Sequence, residues 1–224
     1  MDEPSVFQTQ LSTCEDCRKL AKSSTLERWN FQKPCIKYKT HIDWKPEHVK
    51  VAFIAEAPPG TSEGYFYEPK PVEGYAQILR NHLLDLLGIN RDNIEQAIKD
   101  FKTSGSFLTD AIKCRCDKGG RSHPPKTLAR NCGGKWLERE LRILQPDRIC
   151  ILGRTGKEAL EVVPGYEELQ TKTVGPDCGE VVNARKPVLV WVLPSDLTLQ
   201  YSKGKEERFL AFAKGSTSFQ SAVE

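Results

Sequence analysis

Cysteine is the residue type with the most chemistry to offer in this chain, which has 224 residues and eight cysteines. Cys14 and Cys17 form a C-x2-C pair, a spacing that lets two thiolates reach one metal centre. Cys114 and Cys132 lie farther along with 17 residues between them, and Cys116 is an alternative to Cys114. Because a 4Fe–4S cluster or a structural zinc ion requires four thiolates, this set predicts one of these two centres. Ligand type alone does not separate them.

Cys35, Cys150 and Cys178 are interpreted as structural, and unrelated buried thiols remain an alternative for the whole set. The segment from Met1 to Leu11 has no apolar stretch, which argues against a secretory signal. The protein is therefore expected to be intracellular, in the cytoplasm near the nucleoid. Since disulfides are disfavoured there, metal binding is the preferred interpretation of the cysteines.

Residues with catalytic potential fall at the ends of segments that the sequence predicts as strands. The predicted strands are Val49 to Ala55, Ser106 to Ile112, Arg148 to Leu152 and Pro187 to Leu193. The main predicted helices are Ala76 to Leu87, Asn93 to Phe101, Leu128 to Leu144 and Thr155 to Val162. This alternation predicts an α/β fold of three layers, α/β/α, with a central, mainly parallel four-stranded sheet. Sites in such sheets form at the carboxyl ends of strands, where Glu56, Asp110, Gly153 and Pro194 are expected.

Composition and charge favour a single domain over residues 1–224, with a polar tail from about residue 214. The net charge is only +3, yet ten Lys or Arg face four Asp or Glu between Lys113 and Arg148. Such a basic segment suits a polyanion, although a solvated helix face would show the same pattern. No apolar run approaches the roughly 20 residues needed to span a bilayer, so no membrane contact is expected.

Six segments, in a fixed order, resemble one known family. Ala55 to Gly60 (Ala-Glu-Ala-Pro-Pro-Gly) is similar to its Gly-Glu-Ala/Gly-Pro-Gly, and Tyr75 to Leu79 to its Ala-Gly-Gln-Leu-Leu. Thr109 to Arg115 (Thr-Asp-Ala-Ile-Lys-Cys-Arg) matches Thr-Asn-x-x-Lys-Cys-Arg, and Cys132 precedes Lys135-Trp136-Leu137 as a cysteine precedes Lys-Trp-Leu there. Pro146 to Gly153 matches Pro-x-x-Ile-x-x-Leu-Gly, and Leu193-Pro194-Ser195 stands at its His-Pro-Ser. From about Cys14 to Phe212, the chain resembles the iron–sulfur (family 4) uracil-DNA glycosylases.

The resemblance implies a monofunctional DNA glycosylase of base excision repair that acts on DNA, as a monomer, and hydrolyses the N-glycosidic bond of a damaged base. It implies that Cys14, Cys17, Cys114 and Cys132 hold a 4Fe–4S cluster, with zinc as the alternative. Glu56 would steer the attacking water and Asp110 would read the base, which makes these two the expected catalytic residues. Ala57, Pro58 and Gly60 would contact the DNA backbone, since glycine allows a phosphate close to its N–H.

Asp110 departs from the family, which has asparagine at this position. Asparagine offers one donor and one acceptor, which match uracil N3–H and O4, whereas an ionised aspartate only accepts. A carboxylate suits an edge with two donors, such as that of a guanine-type base, and uracil fits only if burial keeps Asp110 protonated. We therefore expect a substrate range shifted from uracil towards an oxidised or deaminated purine. A loop cap or a pair with Lys113 is the alternative role for Asp110.

Leu193 and the loop before Gly74 depart from the family as well. Leu193 stands where a histidine would stabilise the leaving base, and the loss of such a donor costs on the order of 10²-fold. Pro194 and Ser195 keep their positions and are expected to contact DNA. The stacking aromatic is absent from Pro71 to Gly74, and Phe66 or Tyr67, or the adjacent Tyr65, is expected to replace it. The alternative function is a glycosylase-fold nucleic-acid-binding protein with weak or no catalysis. A zinc-stabilised α/β protein unrelated to DNA is disfavoured by the ordered motifs.

Overall fold

The computed structural model describes residues 2–21, 31–59, 64–115, 124–169, 171–175, 178–181, 184 and 186–191. Its helices are α1 (Glu3–Ser12), α2 (Asp16–Ala21), α3 (Pro34–Lys37), α4 (Thr40–Asp43), α5 (Gly74–Leu86), α6 (Ile94–Thr103), α7 (Lys126–Cys132), α8 (Glu138–Leu144) and α9 (Arg154–Leu160). A π-helical turn, Gly133–Leu137, joins α7 to α8. The strands are β1 (Val51–Ala55), β2 (Ser106–Asp110), β3 (Arg148–Leu152), β4 (Thr171–Gly175), β5 (Cys178–Val181) and β6 (Val188–Trp191). None of the described helices is long and apolar enough to cross a membrane.

The strands form one sheet in the order β2-β1-β3-β6-β5-β4. β1 pairs in parallel with β2 and β3, and β3 with β6, whereas β5 runs antiparallel to β6 and to β4. The predicted α/β class with a parallel sheet is confirmed. The predicted number of four strands is wrong, because the described part of the chain contains six. The missed pair, β4 and β5, is a short polar hairpin without the apolar run that marks a buried strand.

Helices cover both faces of the central strands, and every residue of β1 and β2 is buried. Phe53 of β1 packs against Phe101 of α6, with ring centroids 6.0 Å apart. The next residue, Ile54, points to the opposite face and lies beneath α9. A Cβ on Gly156 of α9 would stand 3.0 Å from the Ile54 carbonyl oxygen, so α9 lies directly on the sheet. This contact places the start of α9 beside the carboxyl end of β1.

The N-terminal residues build more of the core than their polar composition predicts. α1 begins where the Asp2 carboxylate accepts a hydrogen bond of 2.9 Å from the Ser5 N–H, as an N-cap residue does. Phe7 and Leu11 of this helix are fully buried. The next helix, α2, carries the buried Cys17. α1 therefore forms part of the packed core near the sheet.

Candidate active site and cysteine cluster

Glu56 and Asp110 lie side by side at the carboxyl ends of paired strands. Asp110 is the last residue of β2 and pairs with Ala55, the last residue of β1. Glu56 follows Ala55 directly in the chain. The Ile112 N–H donates to the Glu56 carbonyl oxygen at 3.1 Å, which continues the pairing past the strand ends. The Glu56 side chain is half-buried, and its Oε2 accepts a hydrogen bond of 2.8 Å from the Thr155 hydroxyl at the start of α9. The two predicted catalytic carboxylates thus lie at the same end of the sheet, where the parallel strands have their carboxyl ends.

Asp110 is a buried carboxyl group, only 6% exposed. Tyr65 is among the groups that interact with this carboxyl group. Burial raises the pKa of this carboxyl to about 7, which Glu140 favours and Lys113, Tyr65 and Arg115 oppose. Burial therefore favours the protonated form of this carboxyl group more than in a solvent-exposed aspartate.

Beneath Asp110 lies a buried polar network around Glu140 of α8. The Lys113 ammonium donates to Glu140 Oε2 at 2.5 Å, to Thr109 Oγ1 at 2.7 Å and to the Asp110 carbonyl oxygen at 2.5 Å. Thr109 in turn donates to the carboxylate of Glu140, and His41 Nε2 meets Glu140 Oε1. All four side chains are at most 4% exposed. The network therefore ties α4, β2 and α8 together under the site.

The charges of this network are mutually stabilised. Burial alone would raise the pKa of Glu140, but Lys113 and His41 outweigh it and lower that pKa to about 2. Burial would lower the pKa of Lys113, and the facing Glu140 carboxylate raises it instead. Lys113 and Arg115 are both buried, and Arg115 donates to the Pro59 carbonyl oxygen at 2.7 Å. Two of the ten basic residues between 113 and 148 thus serve the interior rather than a DNA-facing surface.

The three aromatic residues expected to supply the stacking ring, Tyr65, Phe66 and Tyr67, are all buried. Phe66 is 3% exposed, and its ring packs against Phe101 at 4.8 Å between centroids. Tyr67 is fully buried, and its hydroxyl bonds both the N–H and the carbonyl oxygen of Leu108, which covers the free edge of β2. Tyr65 is also only 3% exposed, so none of the three rings is open for stacking on a base in this structure, and Phe66 and Tyr67 are corrected to core residues.

Arg80 of α5 fixes the backbone of the loop that carries Tyr65. This buried guanidinium donates to the carbonyl oxygens of Tyr65 at 2.6 Å, Glu68 at 2.9 Å and Lys70 at 2.9 Å. Burial lowers its pKa to about 10. Tyr65 also stacks on Tyr38, with centroids 5.7 Å apart. The backbone and the ring of Tyr65 are therefore both held in place.

Other predicted DNA-contacting residues fall partly outside the described residues. Ala57 is half-buried and Pro58 is buried, directly after Glu56. Gly60, Leu193, Pro194 and Ser195 lie outside the residues that the structure describes. Their expected contacts with DNA stay predictions.

The four predicted cysteine ligands come together between α1, α2 and α7. Contacts with Cys114 and Cys132 raise the pKa of the Cys17 thiol, and the contact with Cys17 lowers that of Cys114. Cys14, Cys17 and Cys114 line one cavity of about 170 Å³. The Trp136 indole N–H donates to Cys14 Sγ at 3.2 Å, and the Lys113 N–H donates to Cys132 Sγ at 3.4 Å.

These thiols are free, so the cluster is not a pair of disulfides. Among the described residues, no group of three or more His, Cys, Asp or Glu side chains has the arrangement of ligands around one metal ion. Four convergent thiols beside a cavity, with N–H groups donating to two of the sulfurs, nevertheless form a donor set that suits an iron–sulfur cluster. Cys116 lies outside the described residues, so its role as an alternative ligand stays a prediction.

Helix α9 contacts both the segment that follows Cys132 and the side chain of Glu56. Cys132 ends α7, and the π-helical turn that follows lies against α9. A Cβ on Gly133 would stand 2.2 Å from the Ala159 carbonyl oxygen, so this close approach requires glycine. The same helix carries Thr155, the donor to Glu56. Sequence reasoning missed Thr155 and Glu140, because each acts through a contact with a distant residue.

In parallel α/β sheets, functional sites form at the carboxyl ends of the strands, which is where Glu56 and Asp110 lie next to each other. The family model of the uracil DNA glycosylase superfamily matches residues 42–215, which is most of the chain. The protein therefore belongs to this superfamily, whose members act on DNA, and membership suggests DNA glycosylase activity. The match includes Glu56 and Asp110 but begins after Cys14 and Cys17. A search of curated proteins found no match.

Proposed function

We propose that this protein is a monofunctional DNA glycosylase that hydrolyses the N-glycosidic bond of a damaged base in base excision repair, as a monomer. The observation that carries the proposal is the placement of Glu56 and Asp110 on adjacent strand ends in a chain of this superfamily. An enzyme that acts on a base inside DNA must first extrude it into a pocket. The strand ends are where such a pocket forms in a parallel α/β sheet.

Glu56 is the group that acts at the sugar. Departure of the base leaves positive charge on the sugar, and a nearby carboxylate stabilises that charge and orients the attacking water. The Thr155 hydroxyl, 2.8 Å from Oε2, limits the rotation of the Glu56 carboxylate. Thr155 is therefore a positioning residue for this step. No lysine at a motif position of the sequence is an obvious candidate for a Schiff base, so water is the proposed nucleophile.

Asp110 is the group that reads the edge of the extruded base. It is buried at the adjacent strand end, with Tyr65 among the groups that interact with it. The protonated form suits uracil and the ionised form suits a base with a two-donor edge, so both are candidates. The excised base is therefore proposed to be uracil or another deaminated or oxidised base.

A second candidate function is nucleic-acid binding with weak or no catalysis. The sequence feature that favours it is Leu193, which replaces a histidine that would stabilise negative charge on the leaving base. The leucine side chain has no hydrogen-bond donor. The two functions share the fold and differ in whether base release is observed.

A single-turnover assay separates the two functions. Excess protein is mixed with labelled oligonucleotides, single- and double-stranded, that carry one uracil, hypoxanthine, xanthine or 8-oxoguanine each. Alkali then cleaves the abasic products. The proposal expects release of at least one base, and the base released fastest names the substrate. Binding of every oligonucleotide without release, even at enzyme excess, would support the non-catalytic function.

We propose further that Cys14, Cys17, Cys114 and Cys132 hold a 4Fe–4S cluster. Their thiols converge beside a cavity, and the Trp136 and Lys113 N–H groups donate to two of the sulfurs. When bound, such a cluster would crosslink the N-terminal helices to the loop after β2 and to α7, which braces the site from one side.

Metal analysis tests the cluster directly. Anaerobically purified protein is expected to be brown, with about four iron atoms per chain and matching sulfide. Cys17→Ser should lose the visible absorbance and the iron. Cys35→Ser, which changes a buried cysteine in α3, should keep both. One zinc per chain and no iron would contradict the proposal.

A further inference from the structure

Arg115 is a buried cation in the loop that follows β2. It is 7% exposed, and its guanidinium Nη1 donates a hydrogen bond of 2.7 Å to the carbonyl oxygen of Pro59. A buried arginine stays charged, and burying a charge costs free energy unless hydrogen bonds compensate for it. A hydrophobic side chain could pack in its place without that cost. The contact therefore indicates a role for Arg115 at Pro59 beyond packing.

Pro59 belongs to the loop that follows Glu56 at the end of β1. The loop begins Glu56-Ala57-Pro58-Pro59, and its two prolines have no N–H to donate. Hydrogen bonds can therefore hold the backbone at these two positions only through the carbonyl oxygens. The Glu56 carbonyl oxygen accepts from the Ile112 N–H at 3.1 Å, and the Pro59 carbonyl oxygen accepts from Arg115. These two bonds tether both ends of the segment to the loop after β2.

The backbone of Arg115 is itself held in place. Its N–H donates to the carbonyl oxygen of Gln32 at 2.7 Å. The preceding residue, Cys114, is buried in the cysteine cluster, and Lys113 before it lies in the buried polar network. The guanidinium therefore reaches Pro59 from a supported backbone, as a residue that positions a loop must.

We propose that Arg115 is a positioning residue of the active site, which holds the loop after β1 so that Glu56 faces the sugar of the extruded base. The inference rests on the proposed catalytic role of Glu56. The Thr155 hydroxyl limits the rotation of the Glu56 side chain, and Arg115 limits the path of the backbone that follows it. Such restraint matters because a misplacement of about 1 Å can cost on the order of 10²-fold in rate.

Three consecutive residues thus support three parts of the site. Lys113 bonds Glu140, Cys114 belongs to the cysteine cluster, and Arg115 bonds Pro59. Because the three residues share one stretch of backbone, the polar network, the cysteine cluster and the loop after β1 are held from the same segment. Removal of the guanidinium alone should loosen the loop and leave the other two contacts in place.

Arg115→Met and Arg115→Lys separate positioning from packing. Methionine fills much of the space of the arginine stem but donates no hydrogen bond, whereas lysine keeps the charge and a donor. Amide hydrogen exchange is followed by mass spectrometry in the peptide that covers the loop after Glu56. Exchange there should become on the order of tenfold faster in Arg115→Met, because a hydrogen bond from a charged donor is lost.

Arg80→Met is the matched control for hydrogen exchange. It removes another buried guanidinium, which donates to carbonyl oxygens of the loop from Tyr65 to Lys70. Exchange should rise in that loop and stay unchanged in the loop after Glu56. Equal acceleration of the loop after Glu56 in Arg80→Met and Arg115→Met would indicate a general loss of stability and overturn the inference.

Excision is measured in single turnover on the base that the unmodified protein releases fastest. Rates are compared at equal metal content per chain, because Arg115 follows Cys114. Arg115→Met should lower the rate on the order of tenfold with little change in DNA affinity or urea midpoint, and Arg115→Lys should recover part of the loss. No recovery in Arg115→Lys, with a lowered urea midpoint in both variants, would indicate a structural role and overturn the inference.

The two measurements also separate this inference from the proposed function. If the unmodified protein releases no base, the glycosylase proposal fails, and hydrogen exchange decides whether Arg115 holds the loop. If the unmodified protein and Arg115→Met excise at the same rate, the inference is overturned and the glycosylase proposal stands. A slower rate in Arg115→Met without faster exchange would overturn it too, because the loop would then not be what Arg115 holds.

Discussion

Glu140→Gln is the substitution with the largest expected effect on stability. It removes the carboxylate that faces Lys113 and His41 in the interior and leaves the Lys113 ammonium buried without an anion. The loss of one partner from a buried ion pair typically costs about 3–5 kcal/mol. The pKa of Glu140 gives a similar figure, because a fall from 4.5 to about 2 corresponds to roughly 3 kcal/mol. Both routes place the cost at a large fraction of the stability of a typical domain.

The pH dependence of this cost follows from the lowered pKa. The contribution of ionised Glu140 to the free energy of unfolding is complete above its unfolded-state pKa of 4.5. It is lost as pH falls from there towards the folded-state pKa of about 2. The free energy of unfolding is measured with urea at neutral pH and at about pH 3. The difference between the unmodified protein and Glu140→Gln should be large at neutral pH and smaller at about pH 3.

Glu138→Gln is the control, because this residue lies on the same helix in a surface pair with Arg142. Its effect should stay within about 0.5 kcal/mol. Should Glu140→Gln fail to fold, the double variant with Lys113→Met should recover stability, since it removes the orphaned charge. A stable Glu140→Gln protein at neutral pH, or a difference that does not change with pH, would refute the reasoning.

Two further substitutions test the connection between α9 and its neighbours. Gly133→Ala would place a methyl group 2.2 Å from the Ala159 carbonyl oxygen, so it should destabilise the fold by about 1–3 kcal/mol in urea unfolding. Gly134→Ala, whose Cβ would have ordinary contacts, should be neutral or slightly stabilising, and equal effects would contradict the close packing. Thr155→Val removes the hydroxyl that bonds Glu56 while keeping the shape of the side chain. Excision should slow on the order of tenfold with little change in the urea midpoint, and an unchanged rate would rule out a positioning role.

The parallel strands and their functional ends follow from apolar runs, because a buried strand must be apolar on both faces. Strand β3 (Arg148–Leu152) has its predicted bounds. Strands β1 and β2 differ from their predicted bounds by two residues at one end each. Glu56 and Asp110 were predicted at strand ends for this reason, and the structure shows that these two ends are adjacent. The hairpin of β4 and β5 was missed because its polar residues give no such run.

The site residues that sequence reasoning missed depend on contacts across the fold. The alternatives among Tyr65, Phe66 and Tyr67 could not be decided, since the loop backbone that Arg80 fixes determines where each ring lies. Glu140 did leave a signal. It falls on the apolar stripe of its helix, next to Leu137, Leu141 and Leu144, all of which are buried. A charged residue on such a stripe indicates a buried partner.

The most direct test of the central claim is the single-turnover rate of Glu56→Gln on the base that the unmodified protein releases fastest. Glu47→Gln, an exposed glutamate before β1, is the matched control. We predict that Glu56→Gln lowers the rate on the order of 10²-fold or more with DNA binding retained, because the amide cannot stabilise positive charge on the sugar. The control should excise at the unmodified rate. Equal excision by both variants would contradict the assignment of Glu56 and, with it, the proposed active site.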